Sequence, residues 1–180
     1  VSGLVKSAEE LIERAKRFGV SLDSQIEVML SEAKEALSNN DLPRVFPTLE
    51  KITADVHTAL REKGIEEVEA VEREINDAAE TGIDTAPLRE QITAVRIMIE
   101  NSEYEKAKEA LEEIKSLIDR ERNEHKKVVD AIYASDELIR LAKKFGIDVK
   151  KAEEKLEKAI DLKDTNKEEA LRWADEAHRE

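Results

Sequence analysis

The chain has no cysteine. That excludes a disulfide framework, a thiolate metal site and a cysteine nucleophile. Glycine and proline are scarce, five and three in 180 residues, against roughly 12% in ordinary usage. Turns draw on those residues, so their scarcity disfavours an all-β fold. Aromatic residues make up only 3% of the chain. No apolar run approaches the ~18 residues a membrane span needs, so no membrane insertion is expected. Positive charge is in deficit as well: 30 Lys and Arg against 43 Asp and Glu give a net charge of −13. Nucleic acid and anionic membranes reward basic patches, so neither is expected as the main partner.

Recognisable chemistry is missing too. The sequence holds no Gly-x-Gly-x-x-Gly, Walker A loop, Gly-x-Ser-x-Gly or His-Glu-x-x-His, the motifs that mark phosphate cradles, nucleophile elbows and zinc proteases. A ferritin-like di-iron site would need Glu-x-x-His pairs, and none occurs. The three histidines, His57, His125 and His178, form no repeated pair and read as solvated surface residues. No catalytic, cofactor-binding or metal-ligating residue is therefore assigned. The expectation is a non-enzyme without a cofactor.

What is present is regular. Charged residues are 41% and hydrophobic residues 40%. High charge can signal disorder, but here the apolar residues keep a strict helical register. Rich Glu, Lys, Leu and Ala content fits long helices or coiled coils, so the fold class is all-α. Phe18-Gly19-Val20, Thr81-Gly82-Ile83 and Phe145-Gly146-Ile147 lie 63 and 64 residues apart. Before the first and third glycine, seven of ten consecutive positions are identical at an offset of 127. About twenty residues after each glycine comes a polar break: Asn39-Asn40-Asp41, Asn101-Ser102-Glu103 and Asp164-Thr165-Asn166.

These signals predict three copies of one unit, at 1–64, 65–127 and 128–180, each of helices A, B and C. Gly followed by Val or Ile is a helix C-cap signature. Ser21, Asp84 and Asp148 suit the N-caps of the next helices. Pro87 falls in a first turn, where its missing N–H costs little. The stripe Leu4, Ala8, Leu11, Ala15, Phe18 marks the first helix A. Ile26, Leu30, Ala33 and Leu37 mark B, and Leu49, Ile52, Val56 and Leu60 mark C. Residues 103–145 contain neither Gly nor Pro. Their stripe, Tyr104 to Ala142 in steps of three and four, predicts one helix of roughly 65 Å shared by two repeats.

This plan, with helix C of one bundle running on into helix A of the next, resembles spectrin repeats. Bacterial cell-surface three-helix modules of the FIVAR kind are similar in their Ala/Leu-rich pattern and short polar B–C loop. The resemblance implies an elongated structural spacer or protein-interaction rod with a protein partner. It carries no residue-level function across. Asn101-Ser102-Glu103-Tyr104-Glu105-Lys106-Ala107 echoes a tetratricopeptide pattern, but the period of 63–64 does not fit. A tetratricopeptide-like adaptor and a helical ligand- or lipid-binding bundle are the alternatives. Residue 1 is Val, and no signal-peptide pattern opens the chain. The expectation is a soluble segment of a larger protein, cytoplasmic or part of an ectodomain.

The joints and the charges complete the reading. Gly64 predicts a kink or short break. Pro47 predicts a first helix C that starts late or bends near Phe46. Phe18 and Phe145 are expected to plug the ends of their bundles, and Trp173 to pack beside an alanine stripe. The outer repeats are nearly balanced, with 9 basic and 11 acidic groups in 1–64 and 11 and 14 in 128–180. The middle repeat carries 10 basic and 18 acidic groups. Much of that excess is Glu66, Glu67, Glu69, Glu72, Glu74, Asp77 and Glu80, a candidate acidic face for docking a protein.

Overall fold

A computed structural model describes residues 2–180. Among the described residues there are seven α-helices and no strand: α1 (Ser2–Arg17), α2 (Ser24–Ser38), α3 (Leu42–Glu80), α4 (Ala86–Glu100), α5 (Tyr104–Lys144), α6 (Lys150–Leu162) and α7 (Lys167–Arg179). The chain divides into two compact units. Unit 1 is the chain to Glu72 together with Glu90–Glu112; unit 2 is Arg73–Arg89 together with Glu113–Glu180.

The three glycine turns share one geometry. Gly19, Gly82 and Gly146 have φ of 87°, 87° and 72°, a region that a Cβ penalises. The residue after each donates its N–H five residues back: Val20 to Ala15, Ile83 to Ala78, Ile147 to Ala142. Each glycine N–H bonds three residues back, to Lys16, Ala79 and Lys143. This paired pattern closes the orphan carbonyls of a helix end. The first two polar breaks repeat the device with short polar side chains in the left-handed region, Asn40 at φ 59° and Ser102 at φ 61°.

Aspartates stand just before the following helices, although the cap position of α6 is Val149, which makes no side-chain cap bond, and not the expected Asp148. Asp84 Oδ1 accepts from Ala86 N at 3.0 Å and Asp148 Oδ1 from Lys150 N at 3.1 Å. In the first turn the expected Ser21 does not act. Asp23 is the N-cap and accepts from Gln25 N, because that loop holds two more residues between glycine and aspartate than the other two.

The apolar stripe of α5 is buried as expected, from Tyr104, Ala107 and Leu111 through Ile118 and Val128 to Ile139. Ser135 is 1% exposed within it, and its Oγ donates to the Ala174 carbonyl at 2.8 Å. That bond satisfies a hydroxyl that would otherwise be costly to bury. The stripe of α1 differs from the expectation. Val5 and Ile12 are the buried positions, while Leu4 is 50% exposed. The helix is apolar over a broad arc, and the flank that turns inward is set by α2 and α3 rather than by period.

Of the expected irregularities, the break at Gly64 and the late start near Pro47 do not occur. The helix α3 runs without a break from Leu42 to Glu80. Gly64 is buried within it, and a Cβ there would lie 3.0 Å from Ile99 Cδ1. The glycine admits a close approach of α4; it does not interrupt the helix. Nor does α3 start late, since Pro47 lies inside it. The carbonyl that Pro47 leaves without a helical donor is that of exposed Pro43, near the first turn, where water can take it.

Candidate functional site

In unit 1, the turn at Gly19 is covered by the start of α5. The Phe18 ring meets the Tyr104 ring edge-on, with centroids 6.0 Å apart. Tyr104 is 2% exposed, and its hydroxyl donates to the His57 carbonyl at 3.3 Å. The Lys108 ammonium lies 5.8 Å from the Phe18 ring centre, within cation–π range. The Arg14 guanidinium makes a two-bonded contact to the Glu105 carboxylate. Those hydrogen bonds pull Glu105 below its ordinary value of 4.5 and raise Arg14 further.

In unit 2, the turn at Gly82 is covered by the corner before α7. A Cβ on Gly82 would stand 2.8 Å from Asp164 Oδ1. His125 Nδ1 lies 4.0 Å from that same oxygen. Lys167, the first residue of α7, pairs with Glu121 of α5. Counting from the polar corners, Lys167 takes the place that Tyr104 takes in unit 1. The acidic corner and the lysine are visible in the sequence; their facing Gly82 and Glu121 becomes legible only when the repeats are laid over one another.

The histidines are not all solvated. His178 is exposed, but His57 and His125 are half-buried. Each covers one of these joints, which buries a ring edge that composition alone assigns to the surface. Among the described residues, no group of three or more His, Cys, Asp or Glu is placed to hold a metal ion. Among the described residues no helix is long and apolar enough to cross a membrane.

The candidate acidic residues lie on α3 but do not act alike. In unit 1, Glu66 and Glu69 are exposed and Glu67 half-buried. Glu66 pairs with Lys63 at 3.3 Å. Glu72 is turned to α4, where Arg96 holds it at 2.8 Å. In unit 2, Asp77 and Glu80 are exposed, and Glu74 is half-buried with its carbonyl accepting from Arg122. Glu72 therefore belongs to helix packing within unit 1.

Sequence reasoning did not single out an open groove between α1 and α3 in unit 1. It encloses about 900 Å³ and is lined by Leu4, Leu11, Phe46, Leu49, Arg14 and His57, among others. The exposure of Leu4 and Phe46 makes it apolar. In unit 2, Trp173 is partly covered, with the Lys158 ammonium 4.3 Å from its ring centre.

Phe18 is buried at 6% exposure, but Phe145 is 75% exposed. The expected end-plug role of Phe145 is thus corrected. Phe18 is covered by Tyr104 and Lys108, which lie far along the chain, and no polar corner among the described residues covers Phe145 in the same way. The seven helices define an all-α chain of recurring capped turns. Comparison with protein families, with curated proteins and with solved structures finds no match to it.

Proposed function

We propose that the chain is a non-catalytic structural spacer or protein-interaction rod. It is read as three tandem three-helix repeats at 1–64, 65–127 and 128–180, on the spectrin-like plan. One observation carries this reading: the same capped turn recurs at Gly19, Gly82 and Gly146, and a single unbroken helix leads from one repeat to the next. Shared helices fix the spacing and angle between whatever lies at either end, which suits a spacer. The exposed acidic residues Glu66, Glu69, Asp77 and Glu80, with half-buried Glu67, support docking of a basic protein partner, an association that would weaken as salt rises. Small-angle scattering tests the rod directly. The expected particle is elongated, with a maximum dimension above ~70 Å for helices of this length; a compact particle would sink the reading.

The groove between α1 and α3 favours a second reading, a helical bundle that takes an apolar ligand. A fluorescent fatty-acid analogue titrated against the chain should then bind, and Phe46→Glu should abolish the signal. Absence of saturable binding removes this reading.

A further inference from the structure

Both inner A–B turns of the chain are covered by the polar corner of the following repeat. Phe18, beside Gly19, lies under the start of α5, and Gly82 lies under Asp164. The last A–B turn is bare: Leu141, Phe145 and Ile147 are 51%, 75% and 59% exposed, whereas Phe18 and Val20 are 6% and 8% exposed. Three large apolar side chains on one exposed turn form the kind of patch that marks an interaction site.

Among the described residues one corner covers no glycine turn. It is the first, at 39–46. Asn40 and Ser102 share the left-handed conformation, and aligning on them places Leu42 at the Tyr104 position, Pro43 at Glu105 and Phe46 at Lys108. These are the three residues with which α5 covers the first turn. Aligning the turns on Gly19 and Gly146 places Leu141 at the Arg14 position, Phe145 at Phe18 and Ile147 at Val20.

The substitutions match. Where the inner joint pairs Arg14 with Glu105, the two open surfaces carry Leu141 and Pro43. Where the inner joint sets Lys108 over Phe18, they carry Phe46 and Phe145. The ionic contact and the cation–π contact are both replaced by apolar pairs: both sides differ at the first, and at the second the phenylalanine is kept while Phe46 stands in for the lysine. Pro43 is exposed, Leu42 half-buried and Phe46 42% exposed, so the corner is free to meet a partner.

We propose that the bare turn of Leu141, Phe145 and Ile147 docks onto the 39–46 corner of a second copy of this chain, head to tail. The contact repeats the geometry of the inner joint between copies. It is heterologous, since each surface meets a different one; such a contact builds an open series of copies where its rotation closes no ring, and that open form is the one proposed. Both patches are small, so the association is weak and depends on concentration. The proposal rests on the repeat correspondence behind the rod reading.

Sedimentation equilibrium of the full chain over a wide concentration range tests it. The weight-average mass should rise steadily past that of a dimer. Phe145→Glu and Phe46→Glu, each at an exposed position, should each stay monomeric with unchanged helical circular dichroism. Mixed in equal amounts, they should form a dimer and nothing larger, because each retains one intact surface. A wild type that is monomeric at all concentrations overturns the proposal, as does a plateau at the dimer or association that survives in either variant. Scattering from the doubly substituted monomer keeps the two ideas apart: a compact shape would remove the rod while leaving the sedimentation result in force.

Discussion

In unit 1 the glycine turn is closed by an aromatic ring, that of Tyr104; in unit 2 the matching turn is closed by a carboxylate, that of Asp164. The backbone at the two turns is the same, with φ of 87° at both glycines. What lies on top differs in polarity. The cores differ in bulk. Unit 1 buries Val45, Ile52, Val56, Leu60, Leu111 and their neighbours, while the α6–α7 part of unit 2 buries Ala152, Ala159, Ala170, Ala174 and Ala177 around Ile139 and Leu156. The turn geometry is therefore a local property of glycine and its cap. The cover is a separate choice, and stability should follow the cover and the core.

The largest expected effect breaks or confirms the difference between the cores. Leu111 is 2% exposed in unit 1, and Leu111→Ala should destabilise by roughly 2–5 kcal/mol in denaturant unfolding. Leu156 is 7% exposed among alanines. Leu156→Ala should fall near the low end of that range, about 2 kcal/mol, because short helices with small neighbouring side chains can close on the cavity. A larger loss for Leu156 than for Leu111 would reverse the ranking of the two cores.

The turns themselves give a sharper contrast. Gly19→Ala and Gly82→Ala both force a Cβ into the left-handed region, at a cost of about 1–2 kcal/mol. At Gly19 the added atom meets nothing within 4 Å, whereas at Gly82 it meets Asp164 Oδ1 at 2.8 Å. Gly82→Ala should therefore cost more, and Asp164→Ala should remove the excess without affecting Gly19→Ala. Equal costs at the two glycines would mean that Asp164 swings away freely and does not cover the turn.

Much of this fold is legible in the sequence where the cause is local. A glycine before Val or Ile announces a left-handed cap, and Asp84 and Asp148 announce the next helix, because both depend on residues within a few positions. The α5 stripe is legible because 41 residues of period leave one answer. Ser21 misleads because loop length decides which side chain reaches the helix. Leu4 and Leu11 mislead because period marks a broad apolar arc and packing picks its centre. Phe145 misleads because its cover would have to come from a distant residue, as Tyr104 does for Phe18. The acidic residues of α3 are legible as charge, but not the turn of Glu72 to Arg96, which needs the neighbouring helix in place.

The smallest effects concern the ion pairs beside the two joints. Arg14 and Glu105 have side chains 39% and 54% exposed, against 18% and 31% for Lys167 and Glu121. Exposed pairs contribute about 0.2–1 kcal/mol, and salt screens them. Double-mutant cycles should thus show coupling that fades for Arg14 and Glu105 in ~1 M salt and persists better for Lys167 and Glu121. The pH dependence in unit 1 has a definite sign. Arg14 holds the folded carboxyl of Glu105 below its ordinary 4.5. A lowered folded value means the contribution is complete above the ordinary value and is lost as pH falls through the folded one. Glu105→Gln should therefore cost its full, small amount near neutral pH and nothing once wild-type Glu105 is protonated. A penalty that stays constant into acid would show that the pair acts through packing of the Arg14 stem on the turn and not through charge.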